Sequence, residues 1–110
     1  MPAPRMTLPT QAVLRTLLEY PSREFYGLEL CAAAGLASGT IHPILARLES
    51  LGWLQSRWED LDPHEVGRPR RRYYSLTSDG AVAARRALAQ ADARVAKFGA
   101  LRPGLAEGQP

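Results

Sequence analysis

Four arginines, Arg68, Arg70, Arg71 and Arg72, crowd around Pro69 just after Gly67. Guanidinium groups at this density suit phosphate oxygens and the narrow minor groove of a duplex, and the glycine and proline keep the backbone slim enough to approach one. Earlier lies Ser38-Gly39-Thr40-Ile41-His42-Pro43-Ile44-Leu45-Ala46-Arg47. Its leading Ser38, Gly39 and Thr40 are small, so a helix starting there can enter a crowded groove. Thr40 and His42 stand off the apolar stripe and can reach base edges or phosphates, while Arg47 suits a phosphate or a guanine edge. Pro43 falls early in the helix, where a missing amide is least costly. A bare charge run or a lone amphipathic helix is usually a solvated face. Two such features close together point instead to double-stranded DNA. The candidate DNA-binding set is Ser38, Gly39, Thr40, His42, Pro43, Arg47, Gly67, Arg68, Pro69, Arg70 and Arg71.

The elements that must position these residues are legible in the pattern. Thr7 or Thr10 can cap a helix beginning near Pro9, in which Val13, Leu14, Leu17 and Leu18 recur at helical spacing until Pro21. A second helix runs from Tyr26 or Gly27, carries Leu28, Leu30, Cys31 and Ala34, and ends at Gly35, which suits a left-handed closing position. Only Leu36 and Ala37 then precede Ser38, the expected cap of the third helix. A tight glycine turn between short helices is a helix-turn-helix signature. Ile41, Ile44, Leu45, Leu48 and Leu51 form the third helix's apolar stripe, and Gly52 ends it. Trp53–Trp58 and Arg72–Leu76 read as strands joined by a long loop, in which Arg72 is expected to pair with Glu59 or Asp60. Thr77 then caps a last helix reaching about Phe98.

In that last helix Ala81, Ala84, Leu88, Ala91, Val95 and Phe98 alternate three and four residues apart. This heptad seam is expected to join two copies of the chain, although the same face could pack on the first helix. The expected fold is mainly α with a small β-hairpin: a winged helix-turn-helix with a C-terminal dimerisation helix. Residues 1–7 are expected to form a flexible N-terminus, 8–77 the DNA-binding domain, 78–101 the dimerisation helix and 102–110 a flexible tail.

Composition bounds the possibilities. With 110 residues there is room for one domain. The net charge of +3 is too mild to identify a partner alone. One cysteine, Cys31, excludes an intramolecular disulfide and fits a reducing, cytoplasmic setting. No apolar run approaches the roughly 20 residues of a membrane span. His42, His64, Cys31 and Glu65 offer no paired metal-ligand spacing, so neither metal nor cofactor is expected. Nucleophile elbow, phosphate loop and metalloprotease patterns are missing, which argues against an enzyme.

The chain resembles the PadR family of bacterial transcriptional regulators. The resemblance rests on Tyr26-Gly27-Leu28-Glu29-Leu30, Ser38–Leu45, Arg47-Leu48-Glu49, Gly52-Trp53-Leu54, Ser56–Glu59, Gly67–Tyr74 and Leu76-Thr77-Ser78-Asp79-Gly80 in unbroken order. It implies a winged-helix homodimer of the short class, usually a repressor of a pseudo-palindromic operator, released by a small-molecule effector or another signal. His42 departs from the tyrosine frequent there, and the last helix lacks the tryptophan that stacks flat drugs in some members. Two other readings fit the same residues. One is a winged-helix protein–protein adaptor, and the other a small-molecule sensor of the related multiple-antibiotic-resistance type.

Overall fold

The computed structural model describes residues 3–100. Helix α1 (Leu8–Glu19) starts where Thr7 accepts the Thr10 amide and Pro9 occupies the first turn at no hydrogen-bond cost. Its Val13, Leu14 and Leu17 are buried. A two-residue strand β1 (Phe25–Tyr26) leads directly into α2 (Gly27–Ala34). Gly35 closes α2 at φ 69°, and its amide donates to the Cys31 carbonyl. A side chain at that φ would be strained, which is why glycine stands there. The chain turns by 111° between α2 and α3 (Ser38–Ser50), within the range of DNA-binding helix-turn-helix units.

One expectation for these helices needs correction. Ser38 is the first residue of α3 and Ala37 its cap, with no side-chain capping bond. Leu28 is 71% exposed, so α2 is anchored mainly through Leu30.

Strands β2 (Leu54–Trp58) and β3 (Arg72–Leu76) pair antiparallel, Leu54 opposite Leu76 and Trp58 opposite Arg72. The sheet has a third strand that the hairpin pattern did not reveal: β1 pairs with β3, Phe25 opposite Tyr74, in the order β1-β3-β2. Arg23-Glu24-Phe25 reads as a short extended piece in the sequence, but two paired residues are too short to show alternation, so only tertiary pairing makes β1 a strand of the sheet. The β2–β3 connection also contains a helical turn, α4 (Pro63–Val66), capped by Asp62 and closed by Gly67 at φ 71°. Helix α5 (Ser78–Ala100) begins where Thr77 Oγ1 accepts the Gly80 amide.

One core joins these pieces. Leu14, Leu30, Ile41, Leu45, Leu48 and Trp53 are almost wholly buried, and Leu54, Leu76, Ala84 and Leu88 close it from the sheet and α5. Three buried α3 side chains at helical spacing fix which face of that helix turns outward. Among the described residues no single helix is long and apolar enough to cross a membrane.

The segment Ala3–Thr7 has no regular structure, yet Pro4 is buried and the Gln11 side chain donates to the Met6 carbonyl at 2.8 Å. The tail expected at 102–110 lies outside the described residues.

Candidate nucleic-acid interface

Burial of Ile41, Leu45 and Leu48 leaves Ser38, Gly39, Thr40, His42, Pro43 and Arg47 exposed on α3. Pro43 sits in the second turn, deeper than its early position suggested, and removes the amide that would bond the Gly39 carbonyl. Both residues are exposed.

The other half of the candidate set lies on the β2–β3 wing. A cleft of about 430 Å³ separates it from α3, with Ser38 and His42 on one wall and Arg68, Pro69, Arg70 and Arg71 on the other. Gly27 forms part of the same cleft because the His42 ring lies over it, and a Cβ there would approach Cε1 within 3.2 Å. Residues far apart in sequence thus open onto one solvent-filled space.

The four wing arginines are held differently. Glu59 takes Arg68 in a two-pronged ion pair, Nη1 to Oε1 at 2.7 Å and Nη2 to Oε2 at 3.1 Å. Its Oε1 also accepts the Arg71 amide at 3.2 Å. Arg68 therefore braces the wing tip. Arg70 is exposed and touches the chain through Nε, which donates to the Leu61 carbonyl at 2.8 Å. The Arg71 guanidinium stacks on Tyr26, 4.1 Å from the ring centroid. Arg72 pairs with neither Glu59 nor Asp60. Trp58 lies opposite it, which places Arg72 on the sheet face turned to α3, where it reaches Glu49 at 3.1 Å and Ser56 at 3.0 Å. Glu49, itself bonded by Ser56, thus ties the exposed helix to the wing.

The paired Arg68 guanidinium, helped by the Arg71 amide, holds the Glu59 carboxyl down at about 2 from an ordinary 4.5, against an opposing push from burial. A lowered carboxyl pKa adds stability that is complete above the unfolded value. That stability drains away as pH falls from 4.5 towards 2. The melting-temperature gap between wild type and Glu59→Gln should therefore narrow steadily through that window. A gap independent of pH would show that the pair does not support the wing.

The seam read on the last helix divides in two. Ala84, Leu88 and Ala91 are buried by the chain's own core, at 0%, 6% and 5% exposure, and Ala81 is half-buried. An Arg15–Asp92 ion pair at 2.9 Å fastens α5 to α1. Val95 and Phe98 continue the same stripe past that contact and are 72% and 51% exposed. Sequence reasoning passed over Glu49 and Tyr26 as site residues, and gave Glu59 to Arg72 where the structure gives it to Arg68. A carboxylate beside arginines was the available signal, but its partner depends on strand register.

A family model described as the transcriptional regulator PadR-like family matches residues 17–86. The structure is similar to that of a PadR family transcriptional regulator from Eggerthella lenta DSM 2243, with 27% identity and a TM-score of 0.67 over 86% of this chain and 83% of that one. A PadR family transcription regulator from hypervirulent Clostridium difficile R20291 has 22% identity and a TM-score of 0.65, covering 86% of this chain and 97% of that one. Bordetella bronchiseptica BpsR, whose DNA binding is regulated by 6-hydroxynicotinic acid, shares the fold at 18% identity and a TM-score of 0.64, over 94% of this chain and 82% of that one. No curated protein matches the chain by sequence. The matched segment runs from α1 through both candidate elements into α5, and the chain belongs to the PadR-like family of transcriptional regulators.

Proposed function

We propose that the protein is a homodimeric, sequence-specific DNA-binding repressor that leaves its operator when a small molecule or another signal binds. One observation carries this reading: Ser38 and His42, on the exposed face of α3, and the wing arginines line a single cleft. Helix α3 enters the major groove with Ser38, Gly39 and Thr40 leading, and Thr40, His42 and Arg47 meet base edges or the groove wall. Arg70 and Arg71, braced by the Arg68–Glu59 pair, engage the adjoining backbone or minor groove. PadR-like regulators bind DNA, which supports the assignment. The fold shared with BpsR supports control by a small molecule. A two-fold dimer requires a pseudo-palindromic site with half-sites about one helical turn, roughly 34 Å, apart or a multiple of that.

Selection of bound duplexes from a random pool tests this directly. The expected product is a two-fold-related motif whose binding weakens steeply with salt, because phosphate neutralisation releases counterions. Thr40→Ala and His42→Ala should each relax the preference at one or two positions by about 1–3 kcal/mol while leaving non-specific affinity unchanged. An unenriched pool rules out sequence-specific recognition. A uniform loss across all sequences removes these two side chains from base reading.

A further inference from the structure

The wing accounts for one flank of α3 only. His42 lies on that flank, in the cleft shared with the wing. Arg47 stands about 140° further round the helix at roughly 100° per residue. It lines a different cavity, of about 470 Å³, whose opposite wall is the segment Ala3–Thr7. Between the two flanks α3 presents Gly39, Pro43, Ala46 and Ser50, all exposed and none larger than proline. A helix with so slender a front can sit deep between two walls of phosphate.

The segment opposite Arg47 carries Arg5. Pro4 is buried and lines the cavity with Pro43 and Ile44, and the Gln11 bond to the Met6 carbonyl fixes the segment's far end. Arg5 and Arg47 are exposed and line the same cavity. Among the described residues neither side chain has a carboxylate partner, whereas Arg68 and Arg72 on the wing both do. Guanidinium groups that share a cavity without a counter-ion repel as they approach, and an anion placed between them relieves the repulsion.

Resting on the proposed DNA-binding reading, we infer that Ala3–Thr7 is a third DNA-contacting element, with Arg5 and Arg47 together holding phosphates of the strand opposite the one gripped by the wing. The segment gives the recognition helix a second lateral brace and adds affinity without reading bases.

Anisotropy titrations of the full chain on a pool-selected duplex, across a salt series, test this. Arg5→Ala and Arg47→Ala should each flatten the log–log salt slope by about 1.8, that is ~0.9 for each of the two protomers on the duplex. Each should also weaken binding about five-fold at ~0.15 M salt, with the selected motif unchanged. Arg5→Lys keeps the charge and should bind like the wild type. Within each half-site, ethylation of single phosphates should cease to hinder the Arg5→Ala/Arg47→Ala double variant on one strand only, and Arg70→Ala/Arg71→Ala on the other, the strands exchanging roles in the second half-site. Both side chains are exposed, so the double variant should melt with the wild type. An unaltered slope, a failed lysine substitution, or relief of interference on the wing's strand would each overturn the inference. Should the wild type select no motif, the DNA-binding reading falls first and takes this one with it.

Discussion

Alanine at Gly80 should destabilise the protein by about 3 kcal/mol or more, enough to lower its melting temperature by roughly 12 °C. A Cβ built there would lie 2.0 Å from the Trp53 carbonyl oxygen and 2.6 Å from its carbon, both backbone atoms. That carbonyl cannot yield, because the Thr77 amide holds it at 3.0 Å and Thr77 Oγ1 at 3.3 Å. The Trp53 side chain beneath is only 2% exposed. Relief must come from moving the start of α5 away from the α3–β2 turn, which opens the core at Ala84 and Leu88. Gly39→Ala is the control. No atom lies within 4 Å of its would-be Cβ, and alanine favours a helix, so stability should hold or rise. Circular dichroism melts of both variants decide the matter. An unperturbed Gly80→Ala melt would mean that α5 does not sit this close to Trp53.

The contrast between these glycines shows what could be read in advance. Gly35 was legible because its demand is local: a helix ends, the chain turns back, and a left-handed residue must close it. Helix and strand periodicity likewise placed the α3 stripe and β3, whose bounds Arg72–Leu76 match the expected strand. Gly80 looks like any glycine near a helix start, since its constraint comes from a backbone carbonyl 27 residues away. The site divides in the same way. Residue type and spacing picked out the exposed α3 face and the arginine loop, but could not say which arginine each carboxylate takes. That choice depends on strand register, which puts Arg72 opposite Trp58 and hence towards Glu49. The docking of Pro4 was invisible for a related reason. A proline-rich run without periodicity reads as loose until the surface it meets is known.

Val95→Glu should convert the proposed dimer into a monomer and lower affinity for a two-fold site by about 10²–10⁴, the gain that tethering two binding units provides. The choice of residue follows from how the α5 stripe is used. At 23 residues the helix extends about 34 Å. Its first two-thirds bury Ala84, Ala87, Leu88 and Ala91 within the same chain. Those positions are therefore poor probes of association. Leu88→Ala should cost about 2–5 kcal/mol in any oligomeric state, simply by leaving a cavity. Val95 lies on the same line of the helix, 72% exposed, where a glutamate costs the isolated chain little. At a helix–helix seam the same carboxylate would be desolvated against apolar neighbours, which a dimer of this size cannot absorb. Sedimentation velocity reads the oligomeric state, and titration on full and half sites reads the consequence. Binding to the full site should collapse to the level of the half site, while half-site affinity stays put. A Val95→Glu protein that still sediments as a dimer would place the interface elsewhere, and one that unfolds would show Val95 supporting the subunit itself.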